Sequence, residues 1–329
     1  LIPGNNTSGA VFDAIMNLFR AIESYNSTYT VYTFDYRGSG LSSYNKKITA
    51  LKDFALDFEK VMKKIEGFPA TGVTLVGYSM GFAVSLEMVI ANPERYANVV
   101  ALAGIGTRGY RTSFSAGSAG TDPLGNTYAP GDWVPVTDLN EGLVATEFNQ
   151  RTWRNETFSF EGISFIWDFL VLNDTLDFDP VSFTMGDDSF KSTKIYEDQI
   201  EDVLSIQYMP ESLYYSHAFN VSQSDVSYTN TGYGGTVTIP GDGRLADTFN
   251  GKNVLLIKAA SDLINWRGDV LIYDNYTATS KYDLKQAGGT VTAILVDADQ
   301  NYDHGFPTVQ PLSTIKIIDL FISGTLNSP

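Results

Sequence analysis

The sequence predicts an α/β fold: a mostly parallel sheet flanked by helices and interrupted by one long insertion. Two observations predict it. Apolar runs alternate with helix-period segments over the first hundred residues, and the alternation resumes after about residue 250. Between them lie roughly 145 residues without it, too many for a plain loop.

The elements follow in order. Leu1-Ile2-Pro3-Gly4 reads as the end of a buried strand, as expected of a processed or truncated product with an upstream segment. From Ala10 to Tyr25, Val11, Phe12, Ile15, Met16, Leu18, Phe19 and Ile22 recur at helical spacing. Tyr29 to Asp35 is rich in Val, Tyr, Thr and Phe and reads as a strand. Ile48 to Ile65 is helical again, with Leu51, Phe54, Phe58 and Met62 on one side. Gly72 to Val76 is a short apolar strand. Met80 to Ala91 is a helix stopped by Asn92-Pro93, and Asn98 to Ala103 is a strand.

After Gly104 the period is lost in a stretch rich in Gly, Ser, Thr and Pro. Residues 164–172 and 195–209 read as helices, and residues 228–243 as a loop or hairpin. Strands return at Val254 to Lys258 and Thr290 to Val296, and Leu312 to Ile322 forms a last amphipathic helix. The domain reading is a core of residues 1–106 and 250–329 with a cap or lid of residues 107–249. Trp133, Phe158, Phe160, Phe165, Trp167 and Phe169 make that insertion aromatic. Most are expected to be cap core, with some lining an apolar pocket.

Composition narrows the function. Hydrophobic residues make up 43% of the 329, enough for a sizeable core. Lys and Arg total 22 against 38 Asp and Glu, a net charge of −16 that repels phosphate backbones and anionic membranes. No nucleic-acid partner and no transmembrane segment are expected. The absence of cysteine excludes disulfides, thiolate metal sites and a cysteine nucleophile. No dinucleotide loop, P-loop or H-E-x-x-H stands in the sequence, so no cofactor and no metal are expected. The acidic pairs around Asp177, Asp179, Asp187 and Asp188 lack EF-hand spacing and read as a solvated face.

Sequons stand at Asn5, Asn6, Asn26, Asn155, Asn173, Asn220 and Asn275. They suggest an extracellular or cell-surface glycoprotein. A chain rich in Asn and Thr also produces sequons by chance, and that reading stays open beside the first.

The chemistry centres on Gly77-Tyr78-Ser79-Met80-Gly81. This G-x-S-x-G lies directly after a strand and directly before a helix. A sharp strand-to-helix turn needs small residues at its flanks and lifts the Ser79 hydroxyl above the sheet. It also sets the Met80 N–H at the positive end of the helix, ready for an oxyanion.

Together with this turn, further motifs resemble the α/β-hydrolase superfamily. Leu1-Ile2-Pro3-Gly4-Asn5 is similar to its oxyanion-loop motif, and Asp35-Tyr36-Arg37-Gly38-Ser39-Gly40-Leu41-Ser42 to its D-x-R-G-x-G-x-S turn. Asn92-Pro93-Glu94-Arg95-Tyr96 resembles the family's helix end. Leu255 to Asp262 resembles its strand-then-acid segment, and Asp303-His304-Gly305-Phe306-Pro307 its histidine loop. The departures are Pro3, where the family usually has His, and the absence of the family's earlier strands.

The resemblance implies a serine hydrolase with Ser79 as nucleophile, His304 as base and Asp262 as the acid that orients it. Met80 and Asn5 would supply the oxyanion hole. Asp297, Asp299 and Asp303 compete with Asp262 as the acid, and His217 reads as a cap or surface histidine. Asp35 and Arg37 are expected to hold their turn. The implied substrate is a small-molecule ester, or an amide. An aminopeptidase-like enzyme and a catalytically silent module in a glycosylated surface assembly remain alternatives.

Overall fold

Val73-Thr74-Leu75-Val76-Gly77-Tyr78 and the strands Tyr96–Leu102 and Asn253–Ala259 carry apolar residues toward both faces of the sheet, as strands covered by helices on two sides must. The computed structural model describes residues 1–4, 7–39, 42–43, 46, 48–109, 120–121, 127–128, 215–216, 219–229, 236–259, 279–296 and 306–326. A 3₁₀ turn, Gly9–Phe12, leads into α1 (Asp13–Ala21), α2 (Glu23–Thr28) and α3 (Lys52–Met62). Then come β1 (Val73–Tyr78), α4 (Met80–Ala91) and β2 (Tyr96–Leu102). Two short pairs follow, β3 (Gly120–Thr121) with β4 (Thr127–Tyr128) and β5 (Val226–Thr229) with β6 (Thr236–Ile239). The chain closes with β7 (Asn253–Ala259), helical residues 279–286, β8 (Thr290–Val296), α5 (Phe306–Val309) and α6 (Pro311–Ile322).

The sheet runs β1-β2-β7-β8, all parallel. Its two faces alternate residue by residue. Leu75, Val99, Ala101, Val254, Leu256 and Val291 face α3 and α4, against Phe54, Phe58, Val84 and Met88. Val76, Tyr78, Val100, Leu102, Leu255 and Ile257 face α1 and α6, against Phe12, Ile15, Phe19, Ile315 and Ile318. The consecutive apolar positions of β1, β2 and β7 thus feed two cores at once. The α4 helix is apolar around its whole circumference because it is sunk into the first of them; every residue from Met80 to Val89 is buried.

Two expectations differ from the structure. The single helix read over Ala10 to Tyr25 is broken at Ile22, which is extended (φ −91°, ψ 110°). The break turns the chain so that the Tyr25 and Tyr29 rings each meet Phe19 at 5.7 Å. Tyr29 to Asp35 is not a ladder strand. It lies beside Leu1-Ile2-Pro3; the Leu1 nitrogen donates to Tyr32 O at 2.7 Å, while Ile2 spends its own N–H and carbonyl on Val76 and Tyr78 of β1.

The buried carboxylates of α3 and α4 are paired. On α3, Glu59 accepts from the Tyr96 hydroxyl and Asn92 Nδ2 and faces Arg95. Burial, then the bond to Glu59, pushes the Tyr96 hydroxyl well above the usual tyrosine range. On α4, buried Glu87 takes both terminal nitrogens of Arg244, at 2.5 and 2.8 Å. Phe219, Val221, Leu245 and Phe249, from the end of segment 107–249, lie in the α3/α4 core cluster. The helices read at 164–172 and 195–209 lie outside the described residues. Among the described residues no helix is long and apolar enough to cross a membrane.

Because Tyr96 and Glu59 are only 2% and 6% exposed, Tyr96→Phe strips a buried carboxylate of a donor. Urea denaturation is expected to register a loss of about 1.5–3 kcal/mol. An unchanged midpoint would contradict the pairing.

Candidate active site

The local sequence dictates a collision that only glycine avoids. A Cβ on Gly77 would sit 2.5 Å from Gly81 O, and one on Gly81 would sit 2.2 Å from Ile2 O and 2.5 Å from Pro3 O. Both glycines of G-x-S-x-G are therefore fixed by close backbone approach: β1 against the first turn of α4, and α4 against Ile2-Pro3. The turn closes on Ser79 with φ 52° and ψ −120°, a region L residues avoid. Such a residue costs about 1–3 kcal/mol and persists only where its surroundings over-determine it.

The surroundings do so through both peptide groups of Ser79. Its N–H donates to Leu102 O at 3.0 Å, and its carbonyl accepts from Phe82 N and Ile105 N, each at 3.1 Å. On the other side of β1, Ile2 N donates to Val76 O at 2.8 Å and Tyr78 N donates to Ile2 O at 2.9 Å. The Ser79 side chain is half-buried at the C-terminal edge of the sheet, where α/β folds place their ligands. Met80 opens α4, so its N–H has no intrahelical acceptor and lies at the positive end of a 12-residue helix.

Residues 1–4 press on this turn. A Cβ on Gly4 would lie 3.1 Å from Ser79 Cβ, which makes this stretch a wall of the site. Pro3 O accepts the buried Tyr36 hydroxyl at 2.6 Å, and burial pushes that hydroxyl well above the ordinary tyrosine range. The Asp35 carboxylate accepts the Gly9 N–H at 2.7 Å. Arg37 donates through Nε to Asp57 on α3 at 2.6 Å and through Nη1 to Lys46 O at 3.0 Å. Arg37 thus ties its loop to α3, as the sequence suggested, while the Asp35 carboxylate reaches out of the turn to Gly9. Tyr36 adds a tie to Pro3 that no spacing rule marks, because one hydroxyl reaching across 33 residues leaves no periodic trace.

Of the residues singled out from sequence, Ser79 and Met80 are brought together at this turn. Asn5, Asp262 and His304 lie outside the described residues, as do His217, Asp297, Asp299 and Asp303. The described chain ends β7 at Ala259 and β8 at Val296, and both strands run parallel to β1. It is described again from Phe306, whose helix packs beside the 3₁₀ turn, with Thr308 Oγ1 donating to Val11 O at 3.3 Å.

Among the sequons, Asn26 is exposed on α2. Asn220 is buried, and its Nδ2 donates to Ser224 O and Ile239 O. Asn6, Asn155, Asn173 and Asn275 lie outside the described residues. Among the described residues no cluster of His, Cys, Asp or Glu is suited to a metal ion.

A family model described as the alpha/beta hydrolase fold matches residues 1–127. A carboxylesterase of Nitrososphaera gargenis is 12% identical with a TM-score of 0.55, over 98% of this chain and 89% of that one. A carboxylesterase of Bacillus subtilis is 14% identical with a TM-score of 0.56, over 98% and 82%. A serine hydrolase of Cycloclasticus zankles is 15% identical with a TM-score of 0.56, over 99% and 89%. No curated protein matches the sequence. At these identities the likeness is one of fold.

The strain at Ser79 has a direct consequence. Ser79→Gly is expected to be more stable than Ser79→Ala by about 1 kcal/mol or more, since glycine alone takes this conformation freely. Equal unfolding midpoints for the two variants would contradict a strained turn.

Proposed function

We propose that this chain, which has the α/β-hydrolase fold, is a serine hydrolase that cleaves carboxylic esters through an acyl-enzyme on Ser79. The observation that carries the reading is the Ser79 turn: strained, clamped through both peptide groups, half-buried, and followed by a helix-opening N–H with no intrahelical acceptor. A structural module gains nothing from about 1–3 kcal/mol of backbone strain at one serine. The carboxylesterase and serine-hydrolase names of similar solved structures favour esters over amides.

The chemistry would run as follows. His304 takes the hydroxyl proton as Ser79 Oγ attacks the ester carbonyl, and Asp262 orients the imidazole. The negative oxygen of the tetrahedral adduct takes hydrogen bonds from the N–H groups of Met80 and Asn5. Collapse expels the alcohol, which takes its proton from His304. Water, deprotonated by His304, then attacks the acyl-serine, and collapse releases the acid as His304 returns the proton to Ser79 Oγ. Residues 107–249 would form a cap over the core of residues 1–106 and 250–329 and supply the apolar acyl pocket. Of the two sequons among the described residues, exposed Asn26 rather than buried Asn220 could carry a glycan if the chain passes through a glycosylating compartment.

A fluorophosphonate probe tests the reading. The wild type is expected to gain one adduct, mapped by peptide mass to Ser79, and Ser79→Ala none. His304→Ala should lower p-nitrophenyl ester turnover by about 10⁴-fold or more. An unlabelled wild type, or full turnover without His304, would overturn the assignment.

A further inference from the structure

We infer that Asp283, far from Ser79 in sequence and on no catalytic motif, is a positioning residue for the nucleophile turn. The inference rests on the reading of Ser79 as nucleophile. It starts from the loop that follows β2. Leu102 O accepts the Ser79 N–H and Ile105 N donates to the Ser79 carbonyl, so residues 102–105 hold both peptide groups of the strained serine. This loop is itself strained. Ala103 has φ 46°, and its N–H is spent on Ile257 O at 2.9 Å. A Cβ on Gly104 would lie 2.6 Å from Phe82 Cβ, so the loop is also pressed against α4.

Two consecutive strained segments need an external restraint. The restraint sits two residues beyond Ile105. The Thr107 hydroxyl donates to Asp283 Oδ2 at 2.7 Å. Arg108 grips the same carboxylate with Nε to Oδ2 and Nη2 to Oδ1, each at 2.9 Å. The Thr107 N–H donates to Ser280 Oγ at 3.3 Å, and Thr107 O accepts the Val221 N–H at 3.0 Å.

Thr107 is fully buried and Asp283 is 7% exposed. A bidentate, charge-assisted grip in such a setting is directional and stiff. Helical residues 279–286 therefore fix the far end of the loop whose near end fixes Ser79. Arg244 and Glu87 make a similar bidentate pair on α4, two turns past Ser79, and among the described residues no hydrogen bond joins that pair directly to the Ser79 peptide groups. It serves as the control.

The experiment compares Asp283→Ala, Thr107→Val and Arg244→Gln in the full chain. It reads the fluorophosphonate labelling rate of Ser79, the melting temperature and the hydrogen exchange of the Ile105 amide. Asp283→Ala is expected to slow labelling by about tenfold or more, the scale of a sub-ångström misplacement of a reacting group. It should also speed Ile105 exchange. Thr107→Val, which keeps the ion pair and folds more safely, should shift both in the same direction by a smaller factor. Arg244→Gln should lower the melting temperature with labelling within about twofold of wild type.

Wild-type labelling and Ile105 exchange in both Asp283→Ala and Thr107→Val would overturn the inference while leaving Ser79 as nucleophile. Equal slowing by Arg244→Gln would reduce Asp283 to general stability and overturn it too. A wild type that does not label at all would instead refute the nucleophile reading, and Ile105 exchange would still decide the restraint.

Discussion

The contact between the first turn of α4 and the backbone of Ile2-Pro3 governs the rest of the molecule. No side chain fits there: even a methyl group on Gly81 would fall 2.2 Å from a carbonyl oxygen. With the helix that close, the chain can leave β1 and enter α4 only through a residue at φ 52°. The serine at that position is lifted to the sheet edge as a consequence of packing. The two cores above and below the sheet supply the stability that holds it there, since burial of α4 on every side leaves the helix no freedom to back away.

Around this contact the ties are chiefly backbone and hydroxyl groups. Tyr36 braces Pro3, Asp35 braces Gly9, and Leu102 and Ile105 brace Ser79. Three carboxylates are buried in the described residues. The carboxylates that are buried, Glu59, Glu87 and Asp283, each have a cationic partner: Arg95, Arg244 and Arg108. Such pairs add little net stability over apolar packing, but they penalise misplacement of the elements they join. Glu87 with Arg244 joins α4 to residues near the end of segment 107–249, and Asp283 with Arg108 joins the start of that segment to helical residues 279–286. Both ends of the insertion are thus pinned to the core.

Much of this was legible in the sequence wherever the signal was local. The α4 helix spans Met80–Ala91 and β8 spans Thr290–Val296, as read, because Asn92-Pro93 stops one and a β-branched run defines the other. The G-x-S-x-G turn was legible as a motif set between a strand and a helix, and Gly77 answers a steric demand within five residues; the demand on Gly81 comes from Ile2-Pro3, remote in sequence. What escaped depended on partners remote in sequence. Tyr29 to Asp35 has the composition of a strand, but laddering depends on partners remote in sequence, and the Ile2 backbone beside it is bonded to β1. The break at Ile22 serves a ring cluster that includes Tyr29, beyond the helical window. The Arg108–Asp283 pair spans 175 positions, and no periodicity announces it. For Asp262, His304 and Asn5 the motif resemblance remains the argument.

The proposal turns on close packing and backbone hydrogen bonds preparing Ser79 and the Met80 N–H for an oxyanion. It is tested most directly by a crystal structure of the fluorophosphonate-treated protein. The account predicts a phosphorus–oxygen bond to Ser79 Oγ and a phosphonyl oxygen about 2.7–3.1 Å from Met80 N, with the Ser79 backbone still at positive φ. An adduct on another residue, or a phosphonyl oxygen turned away from Met80 N, would contradict it.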